Sequence, residues 1–429
     1  MQPTDHIAHT PPPPHAANRR LRLLGLRALG ALLSRPQASV APARPPHRIL
    51  LIRPDHLGDV LFSTPSLARL RACLPDAQIS YLCGPWSAPL LTTNPRVNQV
   101  LTCDFPWFNR RRRRTPWEPY QMLRRQAERL RSEGFDAVLN LRFDFWWGAL
   151  LGAAAGIPVR VGYDTPECRP FLTQPVPYVP GRHEVEQNLR LCEALAACAG
   201  RPVPVASPWP ELKLEFHPTV ADDEFAQALL ADTDSLSGRP KLSQSTLRLV
   251  AIHPGAGAPV KLWPPERWAI VADALAERWG ARVLLTGSAS ERDLVSRVAA
   301  ITRSGPTDLA GRTNLGQLGA LFRRCDLVLG ADSGPLHLAV AVGARTLHLY
   351  GPVNPAAFGP WGPPQRQVVL QARYPDQPCH GRPCDRLDYA PADLPGHTCM
   401  STISPEQVLA AVERMFPASR DRESTAQVQ

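Results

Sequence analysis

Two series of alternating strand-like and helix-like segments constrain the fold of this chain most strongly. The first series opens with the apolar run Arg48–Arg53 (RILLIR) and the second with Leu247–His253 (LRLVAIH). Short, continuous apolar runs of this kind are typical of buried parallel strands. Strands that alternate with helices indicate βαβ units, so each series predicts an α/β domain with a doubly wound parallel sheet.

The length of 429 residues also favours two domains, because it exceeds the usual size of one hydrophobic core. We expect the two Rossmann-like domains to face a cleft, since ligands bind at the carboxyl ends of such strands. The predicted organisation is a disordered, basic, Pro-rich head over residues 1–46, an N-terminal domain over 47–200, a linker region rich in Pro, Ser and Asp over 201–246, a C-terminal domain over 247–416, and a disordered tail over 417–429.

The head carries a concentrated positive charge and one amphipathic segment. Residues 1–49 hold seven arginines against a single acidic residue, Asp5, within a total net charge of +10. Leu21, Leu24, Ala28 and Leu32 share one helical stripe in this basic stretch. Such a helix can lie on an anionic membrane surface or pack on its own domain, and the sequence leaves both open.

Targeting and redox signals are sparse. The apolar stretch near residue 21 is broken by Arg22 and Arg27, so it resembles neither a signal peptide nor a membrane span. The ten cysteines follow no secretory framework, which predicts reduced thiols. We therefore expect a soluble or peripheral protein.

Three loops, each at the end of a predicted strand, carry candidate chemistry. In the first, Arg53-Pro-Asp-His-Leu-Gly-Asp59, a glycine allows close backbone approach and a helix begins. Asp59 can cap that helix or act as a general base, and the spacing alone does not decide between them.

The second loop, His253-Pro-Gly-Ala-Gly-Ala-Pro-Val-Lys261, combines glycines with a lysine. Backbone N–H groups near Gly255 can face a phosphate, and Lys261 adds a mobile positive charge. The spacing excludes a Walker loop.

The third loop, Gly330-Ala-Asp-Ser-Gly-Pro-Leu-His337, again joins a strand end to a helix start. Ser333 and Gly334 offer backbone donors suited to a pyrophosphate. Asp332 can be a helix cap, and His337 can equally be a core residue.

Further marks accompany these loops, namely Ser63-Thr-Pro65, Trp263-Pro264, Gly287-Ser-Ala-Ser-Glu291 and Tyr350-Gly-Pro352. Together, over about residues 48–415, they resemble glycosyltransferase family 9, the heptosyltransferases of bacterial lipopolysaccharide assembly. The resemblance implies a GT-B fold, with an N-terminal acceptor domain and a C-terminal domain for the nucleotide-sugar donor.

The same resemblance implies roles for individual residues. Asp59 would be the general base that deprotonates the acceptor hydroxyl, in a single inverting displacement. Glu291 would contact the donor ribose and Asp332 would position the sugar, while Lys261 and the amides of Ser333 and Gly334 hold the diphosphate. Gly255 and His337 complete the expected donor site. No Asp-x-Asp motif stands near the donor loops, so we expect no cofactor or metal, only a nucleotide-sugar donor, by family default ADP-heptose.

The expected acceptor is a lipopolysaccharide-core or related anionic glycolipid. Its candidate ligands are the basic run represented by Arg110, Arg111 and Arg112, together with Arg142 at a strand end. A solvated loop is the alternative for the basic run. We expect a cytoplasmic enzyme, peripheral on the inner face of the membrane at most, and no nucleic-acid partner.

A Cys/His-rich segment near the C-terminus is a weak candidate for zinc. Cys379, Cys384, His397 and Cys399 fall within a short stretch. Their spacing is not that of a standard zinc finger, and simple packing or a reducible staple is the favoured interpretation.

Two other functions share this architecture. A nucleotide-sugar epimerase would use a second acid/base group and need no acceptor. A non-catalytic nucleotide-sugar-binding module at the membrane would explain the basic head. A Rossmann oxidoreductase is disfavoured, because no Gly-x-Gly-x-x-Gly follows the first strand.

Overall fold

The computed structural model describes residues 16–33, 45–109, 115, 117–201, 211–237, 247–374 and 383–417. These residues form two compact units that divide between Glu215 and Phe216. Each unit has its own six-stranded sheet, and in both sheets every strand pair is parallel. The predicted pair of Rossmann-like α/β domains is therefore confirmed.

The N-terminal sheet has the strand order β3-β2-β1-β4-β5-β6. The first strand lies at its centre, with Ile49 opposite Ile79 on one side and Ala137 on the other. Its strands are β1 (Arg48–Arg53), β2 (Gln78–Cys83), β3 (Gln99–Thr102), β4 (Ala137–Asn140), β5 (Val159–Tyr163) and β6 (Gln174–Val176). The order reverses between β1 and β4, the place where sheets of this kind bind ligands.

Helices cover this sheet, and their apolar residues complete its core. They are α1 (Ala16–Leu33), α2 (Leu57–Phe62), α3 (Thr64–Cys73), α4 (Glu118–Glu133), α5 (Trp146–Ala154) and α6 (Glu184–Cys198). The apolar run in β1 is fully buried from Ile49 to Ile52, as a central strand between two helical layers requires.

The C-terminal sheet repeats the same pattern, with the order β12-β11-β10-β7-β8-β9. Its strands are β7 (Leu249–His253), β8 (Arg282–Leu285), β9 (Thr307–Asp308), β10 (Leu327–Ala331), β11 (Thr346–Tyr350) and β12 (Gln367–Gln371). Its helices are α7 (Val220–Ser237), α8 (Pro265–Trp279), α9 (Arg292–Ile301), α10 (Leu315–Arg324), α11 (Gly334–Ala341), α12 (Pro355–Phe358) and α13 (Pro405–Met415).

The structure corrects the predicted linker over residues 201–246. Its described part from Phe216 to Ser237 belongs to the C-terminal unit and includes α7. Phe216 packs so closely on α10 that a Cβ at Gly319 would lie 2.6 Å from its ring. An ion pair between Asp223 and Arg323 joins α7 to α10. The polar flanks of α7 concealed its buried residues in the sequence.

The head helix α1 packs on its own domain, one of the two alternatives left open by the sequence. Leu26 is buried against α5 and against Phe171 in the turn that follows β5. A Cβ at Gly30 would lie 2.6 Å from Pro170, so glycine permits this close crossing. No helix in the described ranges is both long and apolar enough to span a membrane.

Candidate active site

The first candidate site lies where β1 ends and α2 begins. Asp59 is the third residue of α2, whose N-cap is His56, so Asp59 is not the cap that the sequence allowed. Its side chain is 35% exposed, whereas Arg53, Pro54 and Asp55 at the start of the same loop are buried. A carboxylate at the carboxyl end of the central strand is thus accessible to a substrate.

A buried arginine, Arg53, organises the groups around Asp59. Its guanidinium lies 2.7 Å from Glu184 and 2.8 Å from Asp55, and one nitrogen is 3.5 Å from Asp59. It also donates hydrogen bonds to the backbone oxygen of Leu141 and to Asn188, at 3.1 and 3.0 Å. These contacts fix the end of β1 against the end of β4 and against α6.

Asp55 joins Arg53 to Arg142, two residues after the end of β4. Although burial opposes ionisation, the Arg142 and Arg53 guanidinium groups hold the pKa of Asp55 below its ordinary value. Arg142 also donates to Asp144 through Nε, at 2.6 Å, and only 7% of its side chain is exposed. Arg142, predicted as an acceptor ligand, is therefore committed largely to two carboxylates, and it stacks over Phe108.

The electrostatics of this cluster favour a basic Asp59. Burial raises the pKa of Asp59, and the neighbouring Asp55 carboxylate raises it further, while Arg53 opposes the shift. Burial also raises the pKa of Glu184 to about 7, against the influence of Arg53. A carboxylate with a raised pKa is a better proton acceptor near neutral pH than an ordinary aspartate.

The second candidate site lies in the C-terminal unit, at the ends of β7 and β10. Lys261 closes a short 3-10 turn (Pro259–Lys261), and its Nζ donates to Asp332 at 2.6 Å. Nε2 of His337 lies 3.6 Å from the other oxygen of Asp332. Burial works against ionisation of Asp332, but Lys261 and His337 hold its pKa well below the ordinary value. Asp332 is therefore a buried anion that positions Lys261.

The helix after β10 presents its N-terminus at this site. Ser333, and not Asp332, is the N-cap of α11, and Gly334 is its first residue. The first N–H groups of a helix have no intrahelical partner and carry a partial positive charge. The Ser333 hydroxyl is buried and has no hydrogen-bond partner among the described residues. Lys261 and the start of α11 together suit a phosphate group.

Glu291 and Gly255, separate in sequence, are adjacent in the structure. A Cβ at Gly255 would lie 1.9 Å from Oε1 of Glu291, so only glycine leaves room for this carboxylate. Its other oxygen accepts hydrogen bonds from the N–H and the hydroxyl of Ser288, both at 2.7 Å. Oε1 also lies 3.9 Å from His253, whose pKa is lowered by burial although Glu291 opposes that shift.

Some predicted residues cannot be placed. Arg110, Arg111 and Arg112 lie outside the described residues, as does Cys379. Of the other candidate zinc ligands, Cys399 is buried in the core of the C-terminal domain, whereas Cys384 contacts Tyr389, whose ring lies tilted against that of His397. Within the described ranges, no three His, Cys, Asp or Glu residues are grouped to hold a metal ion.

The sequence did not single out several residues that complete the first site. Asp55 stands within the predicted loop, but Arg53, Glu184 and Asn188 were not expected to form its support. Arg53 and Glu184 are 131 positions apart. Glu184 is the first residue of α6, and no local pattern reveals that it faces the end of β1.

Two Rossmann-like domains, each with polar loops at the carboxyl ends of its central strands, give the chain the GT-B fold, which it shares with a solved glycosyltransferase. The chain belongs to glycosyltransferase family 9 (heptosyltransferase), whose model matches residues 123–390. The expected family and the enzyme class are thereby confirmed.

Individual relatives are similar in sequence along most of the chain. Lipopolysaccharide heptosyltransferase 1 of Pseudomonas aeruginosa is 28% identical over 388 residues, which cover 86% of this chain and 98% of that protein. Lipopolysaccharide heptosyltransferase 3 of Escherichia coli K12 is 26% identical over 371 residues, covering 84% and 95%.

Solved structures agree with the fold. The crystal structure of a family 9 glycosyltransferase from Veillonella parvula matches with a TM-score of 0.68 and 26% identity, covering 86% of this chain and 97% of that one. The ADP-heptose lipopolysaccharide heptosyltransferase II of Escherichia coli matches with a TM-score of 0.62 at 22% identity, covering 86% and 98%.

Proposed function

We propose that this enzyme transfers heptose from an ADP-linked donor onto a hydroxyl of a lipopolysaccharide-core or related glycolipid, with inversion at the anomeric carbon. Asp59 accepts the proton of the acceptor hydroxyl while its oxygen attacks that carbon. The bond from the anomeric carbon to the diphosphate oxygen breaks, and ADP leaves with the electron pair.

The observation that carries this proposal is the environment of the Asp59 carboxylate. Its carboxylate is partly exposed, its pKa is raised, and Arg53 holds it beside a buried ion-pair cluster. A base must be both accessible and sufficiently basic, and a helix cap needs neither property. The buried network explains how one aspartate keeps a fixed place while it exchanges a proton.

The groups around Lys261 support the donor side of the proposal. A departing diphosphate develops negative charge, which Lys261 and the amides of Ser333 and Gly334 can stabilise. The Glu291 carboxylate occupies the space that Gly255 leaves open, and its Oε1 would accept hydrogen bonds from the ribose hydroxyls. Because the chain itself supplies this positive charge, we propose a transfer that needs no metal. Activity retained in a chelator such as EDTA would agree, and activity lost in EDTA but restored by a divalent cation would contradict it.

We further propose that the enzyme works in the cytoplasm at the inner face of the membrane. Nine described cysteines are free and most are buried, as expected in a reducing compartment. An amphiphilic glycolipid acceptor would bring the enzyme to the membrane surface.

The test is the Asp59→Asn variant, assayed for transfer from ADP-heptose to the acceptor and separately for binding of ADP. We expect transfer to fall by at least about a hundredfold, since a positioned base contributes 10²–10⁴-fold, with ADP binding unchanged. Asp76→Asn, an exposed aspartate of the same domain, is the matched control and should retain activity. Full transfer by Asp59→Asn would refute the role of Asp59.

Incubating the enzyme with the donor, with and without the acceptor, distinguishes this function from the two alternatives. An epimerase would convert the sugar of the donor without any acceptor, and a binding module would give no turnover in either condition. We expect ADP release that depends on the acceptor. Comparing thermal stabilisation by ADP, GDP and UDP tests the nucleotide, and preference for GDP or UDP would overturn the ADP assignment.

A further inference from the structure

The head helix α1 has two distinct apolar faces, and only one of them is used within the fold. Leu26 and Gly30 are buried against the N-terminal domain, with Leu29 and Leu33 partly buried beside them. Near its start, Arg22 lies over the ring of Trp146, 5.2 Å from its centre. The helix is therefore anchored from Arg22 to Leu33 by this buried face.

The opposite face of α1 is apolar but exposed. Leu21, Leu24 and Leu32 are 69%, 59% and 82% exposed, and Ala28 between them is exposed as well. Their spacing of three, four and four residues places them in one stripe along the helix. Isolated exposed leucines are common on protein surfaces, but an aligned stripe on an anchored helix marks a contact surface.

The charge around this stripe indicates what covers it. The helix contains four arginines and no acidic residue, and residues 1–49 together carry a net charge of +6. It does not meet the length and hydropathy needed to cross a bilayer. Leucines flanked by arginines suit the boundary between acyl chains and anionic headgroups, where the helix lies in the plane of the membrane.

Exposed aromatic residues in the same domain agree with such a surface. Trp117 and Tyr120, around the start of α4, are 69% and 53% exposed. Leu123, one turn further along α4, packs against the same cluster that anchors α1. Tryptophan and tyrosine are enriched where a protein meets the membrane–water interface.

We propose that the exposed stripe Leu21–Leu24–Ala28–Leu32 is the surface by which this enzyme docks on anionic phospholipid. This inference rests on the proposed action at a membrane and names the contact that achieves it. Because α1 is packed on the N-terminal domain, the whole domain is held at the surface.

The experiment measures co-sedimentation of the full chain with vesicles of phosphatidylglycerol mixed with phosphatidylcholine. We expect binding that weakens with added salt and is much weaker on phosphatidylcholine alone. The double variant Leu24→Ser/Leu32→Ser should bind at least about tenfold more weakly, because two leucines no longer enter the apolar layer. Ile270→Ser/Ile301→Ser is the matched control, since these isoleucines are exposed in the C-terminal unit and should not affect binding.

Two results would overturn the docking proposal. One is equal vesicle binding by the leucine variant and the wild type. The other is a wild-type dimer, seen by light scattering without lipid, that the leucine variant converts to a monomer, which would assign the stripe to a second copy of the chain.

Transfer to a deacylated, water-soluble acceptor keeps this inference apart from the catalytic one. The leucine variant should retain that transfer, whereas Asp59→Asn should lose it and still bind vesicles. The two measurements therefore test the docking proposal and the catalytic proposal separately, and either can fail while the other holds.

Discussion

The contact between Gly255 and Glu291 allows a sharp test of the donor site. In Gly255→Ala, the new Cβ would lie 1.9 Å from Oε1 and 2.4 Å from Cδ of Glu291. The backbone at Gly255 does not have a positive φ, so alanine itself causes no strain there. The Glu291 carboxylate must instead move, from 1.9 Å to at least the ordinary 3.4 Å, a shift of about 1.5 Å.

The size of the effect follows from what that carboxylate holds. A shift of this size would break its two 2.7 Å hydrogen bonds to Ser288, which cap the turn before α9. Loss of a cap costs about 1 kcal/mol, so the melting temperature should fall by only about 2–4 °C. Loss of a hydrogen bond to a charged group costs about 1.5–3 kcal/mol, so ADP should bind about ten- to a hundredfold more weakly.

Isothermal titration with ADP and thermal unfolding measure these two effects on the same samples. Gly257→Ala is the control in the same loop, because a Cβ there would meet nothing within 4 Å and its φ is also not positive. We expect Gly257→Ala to match the wild type in both measurements. ADP binding by Gly255→Ala as tight as that by Gly257→Ala would show that Glu291 does not contact the donor.

Three further predictions concern Lys261, Asp55 and Gly319. Lys261→Met leaves the buried Asp332 carboxylate without its 2.6 Å partner, so chemical denaturation should show that the free energy of unfolding falls by about 3 kcal/mol. The double variant Lys261→Met/Asp332→Asn should recover at least part of that loss. Equal stability of the single variant and the wild type would contradict this. Asp55→Asn removes a negative charge that raises the pKa of Asp59, so the acidic limb of the kcat/KM profile should move to lower pH, and an upward shift or none would contradict the assigned electrostatics. Gly319→Ala would place a Cβ 2.6 Å from Phe216, so the free energy of unfolding should fall by about 1–3 kcal/mol. Gly25→Ala is the control, because a Cβ there would meet nothing within 4 Å, and its free energy of unfolding should not change.

The sequence was sufficient for the features that local patterns encode. Runs such as RILLIR bury every residue from Ile49 to Ile52, and this continuous burial is what identifies a central parallel strand. Glycine-containing turns after β1, β7 and β10 located the candidate residues, because a chain leaving such a strand must turn into a helix. The two-residue β9 and the Pro-containing β6 lie at sheet edges and carry too few residues for a pattern.

Features that depend on distant contacts were missed for a physical reason. Glu184 supports Arg53 only because α6 packs against the end of β1, far from it in sequence. The N-caps of α2 and α11 are His56 and Ser333, and histidine is not a usual N-cap residue. Until the first residues of these helices were known, Asp59 and Asp332 could each have been the cap.

The repeated strand order has a consequence for how this enzyme can diverge. Each half carries its polar loops after the same two neighbouring strands, β1 and β4 in one half and β7 and β10 in the other. Every such loop is anchored in the buried sheet of its own half, so the two sets of loops rest on separate hydrophobic cores. Under the proposed division of labour, descendants of this chain can acquire a new acceptor while they keep their old donor, or the reverse.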